Sequence, residues 1–367
     1  MVSMEELLNQ MVQRGGSDLH LSVGSPPKIR IDGRLIDTDY EALTPEVCKK
    51  LVYSVLGPDQ VAKFEKNLEL DFSFGVANLG HFRTNAFLQR GTVAAVLRVI
   101  PYEVFDFQAI GLPVKVCEWI CNLPRGLVLC TGTTGSGKST TLAAMVNYIN
   151  ESRENHIVTI EDPIEFLHTN KQSLVNQREV GGDTLGFEKA LRSVLRQDPD
   201  VVLVGEMRDL ETIEAALTLA ETGHLTFATL HTSDVTQTVN RIVDVFPAHQ
   251  QQQIRTMLSF TLQAVICQQL IPRATGKGRV LASEIMIVNP AIRALIRDNK
   301  AHQIMSVIQT SGAAGMRSMN QSLFELYRAG AITYEDAMEA CHDEADFQRL
   351  LERGTGNTMT QRRPLQR

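Results

Sequence analysis

The sequence predicts an α/β protein: a parallel sheet covered by helices on both faces, preceded by a smaller α+β domain and followed by a helical region. Three observations carry this. From Arg125, apolar β-rich runs (GLVLCTG, HIVTIEDP, VVLVGEM, LTFATLHT) alternate with helical patterns over 138–150, 187–197, 210–222 and 235–246, and such alternation builds a parallel sheet buried on both sides. Before Pro101, three successive runs, LELDFSFGV, GHFRTNAFLQR and TVAAVLRVIP, read as antiparallel strands. After residue 290 only short helical patterns remain, ending in the polar stretch GTGNTMTQRRPLQR.

In chain order, residues 4–14 place Leu7, Leu8, Met11 and Val12 on one helical face. SDLHLSVG is a short alternating strand, and KIRIDGRLI is a hairpin turning at Asp32-Gly33. Residues 45–56 follow Thr44 as a helix with Pro45 in its first turn. Residues 101–124, with Pro113 and Pro124 around one short helix, suit a linker. Residues 249–271 read as one long helix, and RVLASEIMIV as a strand. The expected organisation is therefore 1–100, an α+β domain; 101–124, a linker; 125–289, the α/β domain; 290–353, helices; and 354–367, a disordered tail.

Composition narrows the function. A net charge of −6 with 6% aromatic residues argues against a nucleic-acid partner. No apolar run approaches the roughly 20 residues that span a bilayer, and the acidic start MVSMEELLNQ is not a signal peptide. The six cysteines form no CxxC pair, so buried thiols in a reduced, cytoplasmic protein are expected rather than a zinc site.

The chemistry is concentrated in Gly132-Thr133-Thr134-Gly135-Ser136-Gly137-Lys138-Ser139-Thr140, a full GxxxxGK[ST] between an apolar strand and a helix. Its glycines let backbone N–H groups face a phosphate, Lys138 reaches the β- and γ-phosphates, and Ser139 ligates Mg²⁺. Hydrolysis needs acids as well. VVLVGE ends in Glu206, the form of a Walker-B element that holds the metal with Ser139. IVTIEDPIE brings Glu161, Asp162 and Glu165, of which one can polarise water. His224 and His231 bound a β-rich run, and Thr229, Thr232 and Ser233 beside His231 suit a polar sensor of the γ-phosphate; satisfied strand-end histidines fit the spacing nearly as well. Arg83 and Arg98 lie in apolar strand patterns of the first domain, where outward-facing strand arginines are the simpler reading. Arg192, Arg196 and Arg208 flank the Glu206 strand and fit salt bridges. AIRALIRD puts Arg293 and Arg297 on one face of an amphipathic helix.

Taken together, GTTGSGKST, TIEDPIE, LRQDPDVVLVGEMRDLETIEAALTLAETGH and ATLHT resemble the Walker A, Asp box, Walker B and His box of the secretion-superfamily ATPases, the motors of type II secretion and type IV pili. GGSDLHL, NQREVG and AIRALIRD are similar to the pilus-retraction branch. The resemblance covers about residues 1–350. It implies a RecA-like domain behind a PAS-like one, ATP between them, and a homo-hexameric ring. It implies that Glu161 is the catalytic glutamate, Glu206 the Walker-B acid, His224 and His231 the His-box pair, and Arg83 and Arg98 the arginines that reach the nucleotide. It implies that AIRALIRD serves retraction rather than hydrolysis, that the ring works on an inner-membrane pilus platform protein, and that it is held peripherally at that membrane. Thr133 departs from the proline usual in that branch. The missing four-cysteine motif and short N-terminal region favour retraction over extension or secretion, with an accessory retraction ATPase as a related possibility or partner. A RecA-like nucleic-acid motor is disfavoured by charge, and a regulator without turnover by the two strand-end glutamates.

Overall fold

The computed structural model describes residues 2–77, 79–100 and 104–359, the last six as backbone alone. The chain divides into two compact units, Met1–Glu103 with Ile164–Leu167, and Val104–Pro163 with His168–Arg367.

The first unit comprises α1 (Met4–Gln13), β1 (Asp18–Leu21), β2 (Lys28–Ile31), β3 (Arg34–Asp37), α2 (Pro45–Tyr53), α3 (Pro58–Asn67), β4 (Glu69–Val76), β5 (Gly80–Gln89) and β6 (Thr92–Ile100). Its sheet runs β3-β2-β1-β6-β5-β4 with every pair antiparallel. The expected hairpin forms, with Asp32 at φ 48° and Gly33 at φ 80°, the left-handed pair that a two-residue turn of this hand requires. Helix α1 starts on a Ser3–Glu6 capping box and buries Leu7, Leu8 and Met11 against Leu19, Leu97 and Ile29. Helix α3 was not legible as such; Pro58 behind Gly57 is its start signal.

The second unit comprises α4 (Val114–Cys121), β7 (Gly126–Thr131), α5 (Lys138–Ser152), β8 (His156–Glu161), β9 (Leu174–Glu179), α6 (Phe187–Val194), β10 (Val201–Val204), α7 (Leu210–Glu221), β11 (Leu225–Leu230), α8 (Val235–Asp244), α9 (Ala248–Thr261), β12 (Leu262–Pro272), β13 (Arg279–Ile287), α10 (Pro290–Arg297), α11 (Ile304–Thr310), α12 (Met319–Arg328), α13 (Tyr334–Ala340) and α14 (Glu344–Met359). The sheet order is β13-β12-β7-β11-β10-β8-β9, parallel except for edge strand β13. All six residues of β7 are buried. Leu127 and Leu129 face one core with α6 to α11, while Val128 and Cys130 face the other with α4 and α5. That is why the parallel strands read as unbroken apolar runs: both faces bury side chains, at about 1.5–3 kcal/mol each for a large one.

Several expectations need correction. The single helix over 249–271 is helix α9 followed at once by strand β12, because no glycine or proline marks the change at Leu262. The β-branched Val265 and Ile266 are the strand signal, and burial on both faces removes any alternation. Edge strand β9 was missed, since of LVNQRE only Val175 is buried. The segment expected as a linker contributes Phe107, Leu112, Cys117 and Ile120 to the second unit's core, and its first residues, 101–103, lie outside the described residues. The expected disordered tail is helical as far as Met359; residues 360–367 lie outside the description. Helices α12 to α14 form a small core of their own on Ile271 and Ala282 of β12 and β13.

Candidate active site

Parallel strands put all their C-terminal ends on one edge of a sheet, and ligands of open α/β folds bind there. Here β7 ends in the glycine loop, β11 in His231, β10 in Gly205-Glu206, and β8 in Glu161. With the edge strands β9 and β13 set aside and counting from the loop-bearing strand, the order is 5-1-4-3-2, so β11 lies between the glycine loop and Glu206.

The loop is built to receive a phosphate. Gly132, Gly135 and Gly137 take φ of 142°, 78° and 94°, which side chains rarely tolerate. A Cβ on Gly132 would lie 2.4 Å from the Gln268 carbonyl and 2.5 Å from Ser136 Oγ. Thr133, Thr134 and Gly135 form an exposed crown. Lys138 is buried at the first turn of α5, its Nζ donating to the carbonyls of Gly132 (2.8 Å) and Thr133 (3.0 Å). Ser139 and Thr140 follow, half-buried. Ser136 Oγ is buried without a hydrogen-bond partner among the described residues, a polar atom that a bound anion would satisfy. Beside Gly137, Thr140 and Thr141 opens a cavity of about 320 Å³, walled by Phe105, Ile110, Leu270 and Arg279. Sequence reasoning missed this cavity, because its walls come from three distant segments of ordinary composition.

Glu206 is held by two side chains. Its Oε1 lies 3.0 Å from His231 Nε2 and its Oε2 2.7 Å from Arg208. Burial alone would raise this carboxyl; Arg208 and His231 outweigh it and hold it below the usual range. Gly205 N–H donates to the Ile160 carbonyl (2.8 Å) and Met207 N–H to the Thr229 carbonyl (3.1 Å), so the loop is tied to the strands on both sides. Strand β10 itself stops at Val204, two residues before Glu206. Glu161 ends β8, half-buried, accepting from Thr159 Oγ1 (2.6 Å) and Gln177 Nε2 (3.3 Å).

Other candidates are placed elsewhere. His224 stands at the opposite end of β11 from His231, bonded to Thr222 and the Leu219 carbonyl, so the single chain does not bring the two histidines together. The hydroxyls near His231 have partners within the fold: Thr229 donates to the Gly205 carbonyl, Thr232 meets the Thr238 hydroxyl, and Ser233 donates to Gln237 Oε1. Glu165 is exposed in the 164–167 segment that belongs with the first unit. Arg192 pairs with Glu188 (2.8 Å), and Arg196 is exposed. In the first unit, Arg83 and Arg98 face each other across β5 and β6, both exposed, and Arg98 also meets Asp18 at 2.8 Å. Arg293 is not a free basic edge: its guanidinium donates to the Ser259 (2.8 Å) and Phe260 (3.0 Å) carbonyls at the end of α9. Among the described residues no group of three or more histidine, cysteine, aspartate or glutamate side chains is placed to hold a metal ion, and no helix is long and apolar enough to cross a membrane.

A phosphate-binding glycine loop, a strand-end glutamate one strand removed and a RecA-like strand order define a P-loop ATPase. The family model described as Type II/IV secretion system protein matches residues 3–276, and the chain belongs to that family. It is 52% identical over 94% of its length to the whole of the type IV pilus retraction ATPase PilT of Pseudomonas aeruginosa. It is 53% identical over 85% of its length to a twitching motility protein of Neisseria gonorrhoeae, covering 83% of that chain, and 40% identical to the type IV pilus ATPase PilU of P. aeruginosa, covering 96% of this chain and 92% of that one. Among solved structures it is similar to the pilus retraction motor PilT with bound ADP, at TM-score 0.88 and 52% identity over 95% of this chain and 100% of that one. It is also similar to the ATPase DotB of Legionella pneumophila, at TM-score 0.80 and 27% identity over 91% and 93%.

Proposed function

We propose that this chain is the ATP-hydrolysing motor of type IV pilus retraction, assembled as a homo-hexamer that acts on an inner-membrane platform protein. What carries the reading is the joint presence of the phosphate loop and the Glu206–His231 pair at one sheet edge in a chain alike from end to end to a retraction motor. The higher identity to the retraction ATPase than to its PilU relative favours the main motor over an accessory one.

In this reading ATP lies with its phosphates on the loop and its base in the cavity beside Thr140 and Thr141. Lys138 exchanges the loop carbonyls for phosphate oxygens and neutralises them. Ser139 and Glu206 are the groups suited to hold Mg²⁺, which supplies charge neutralisation when bound; an oxygen donor set of hydroxyl and carboxylate fits that ion. Glu161, fixed by Thr159 and Gln177, accepts a hydrogen bond from water and aims its oxygen at the γ-phosphorus. Attack forms one P–O bond and breaks that to the β-phosphate, leaving ADP, phosphate and one proton. His231, bonded to Glu206, reports the presence of the γ-phosphate. Arg83 or Arg98 supplies the cation that meets developing charge. Like charges directly opposite on a sheet are destabilising; Asp18 meets Arg98, and a phosphate group would offset the charge of the pair further.

The test is Lys138→Ala, assayed both for phosphate release by purified protein and for twitching in cells. Both are expected to vanish while the protein still assembles. Retained hydrolysis would overturn the assignment of the site, and retained twitching without hydrolysis would overturn the motor.

A further inference from the structure

Two strands across from Thr131, the residue before the glycine loop, the second unit buries a carboxylate whose hydrogen bonds among the described residues go to backbone. Glu284, on β13, is 0% exposed. Its Oε1 accepts from the Val235 amide at 2.9 Å and its Oε2 from the Met319 amide at 3.4 Å. Val235 opens helix α8 behind its cap Asp234, and Met319 opens helix α12 behind its cap Ser318. First-turn amides have no acceptor inside their own helix, and a negative group suits both positive ends. One side chain thus ties together two helix starts from distant parts of the sequence.

The two helices belong to different business. Helix α8 begins four residues after His231, the side chain that meets Glu206. Helix α12 leads the C-terminal helices and sends Met319 and Leu323 into their core. The link into α12 is reinforced next to Glu284: Arg317 donates to the Ser283 carbonyl (3.1 Å), and Arg317 and Ile285 exchange backbone hydrogen bonds. The N-caps Asp234 and Ser318 take the amides of Gln237 and Gln321, and the first amides of both helices are left to one buried carboxylate, which is costly to hide. What the carboxylate adds is a rigid connection between the two starts.

We propose that Glu284 is a positioning residue that makes the His231 loop and the C-terminal helices α12 to α14 move as one body, passing the state of the phosphate edge to those helices. This rests on the reading of His231 as the group that reports the γ-phosphate. The fixed element with two biasing ends that coupling requires is here one side chain with two oxygens, each committed to one helix.

Amide hydrogen exchange of the full-length protein, with no nucleotide, with ADP and with a non-hydrolysable ATP analogue, tests this on peptides covering 231–238 and 317–323. In the parent, both segments are expected to change together when ADP is replaced by the analogue. Glu284→Gln keeps the shape but turns an NH₂ group toward one of the two amides. In that variant the 231–238 segment should still respond, the 317–323 segment should not, and kcat should fall roughly five- to tenfold with KM for ATP within about twofold. A Glu284→Gln protein that keeps both responses overturns the coupling. If the variant does not fold, the parent alone decides: a response confined to 231–238 overturns the coupling, and no response in either segment overturns the His231 reading and the proposal with it.

Discussion

Two glutamates of the second unit's sheet are used in opposite ways. At the strand-end edge, Glu206 is 19% exposed in its side chain and paired with exchangeable side chains, Arg208 and His231. At the β13 seam, Glu284 is sealed in and paired with amides that cannot move without moving a helix. Burial pushes the Glu284 carboxyl up to about 7, against the pull of its two amide bonds, whereas cations hold Glu206 down. An acid poised for a metal or a substrate is surrounded by partners that can leave, and an acid that fixes architecture is surrounded by partners that cannot.

Glutamine substitutions break this comparison most sharply. Glu206→Gln should lower ATP turnover at least ~100-fold, the scale of losing one charge-stabilising group at a phosphoryl-transfer site, with little change in melting temperature, because half-exposed ion pairs contribute little to stability. Glu161→Gln should lower turnover while sparing ATP affinity, since a water-orienting acid acts after binding. Unchanged turnover in phosphate-release assays would move the water-orienting role to another acid.

The pH dependence of stability sharpens the same contrast. Glu284 ionises near 4.5 in the unfolded chain and at about 7 in the fold, so its protonated form adds stability that is fully present below about 4.5 and lost as pH rises through about 7. The loss is on the order of 3 kcal/mol. Glu206 has the opposite sign: its contribution is present above the ordinary carboxylate pKa and lost as pH falls through its lowered one. Melting curves between pH 5 and 8 should therefore show the parent weakening toward pH 8 and Glu284→Gln losing much of that slope. Equal slopes would mean that the Glu284 carboxyl does not titrate in this range.

The smallest expected effect separates the two arginines of α10. Arg293 closes the carbonyl end of α9, so Arg293→Ala should cost about 1–2 kcal/mol in denaturant unfolding. Arg297 meets Asp298 only at 3.7 Å and is 46% exposed, so Arg297→Ala should cost less than about 0.5 kcal/mol. If α10 serves retraction rather than hydrolysis, Arg297→Ala leaves ATPase activity within a few-fold and abolishes twitching. Persisting twitching would make Arg297 a solvating residue only.

What was legible in the sequence was whatever is encoded locally. The strand, glycine loop and helix around Lys138 are contiguous, and so is the Asp32-Gly33 hairpin. The Glu206–His231 contact was not legible, because it depends on β10 and β11 being neighbours, which is a property of strand order. The partners of the threonines near His231 were not legible for the same reason: Thr229 bonds the Gly205 carbonyl on the neighbouring strand's loop, and Thr232 meets Thr238 on α8. Glu284 had a readable sign, an acid inside the apolar run RVLASEIMIV, but its two partners lie far away in the chain.

The sheet order also bears on how the protein is made. Strand β7 is flanked by β11 and β12, and the Gln268 carbonyl that packs against Gly132 belongs to β12. Both neighbours leave the ribosome long after the glycine loop, on the order of ten seconds later at ~5–20 residues per second. During that interval the loop lacks the two strands that flank it. The two walls of the glycine loop are therefore complete only once β12 has docked.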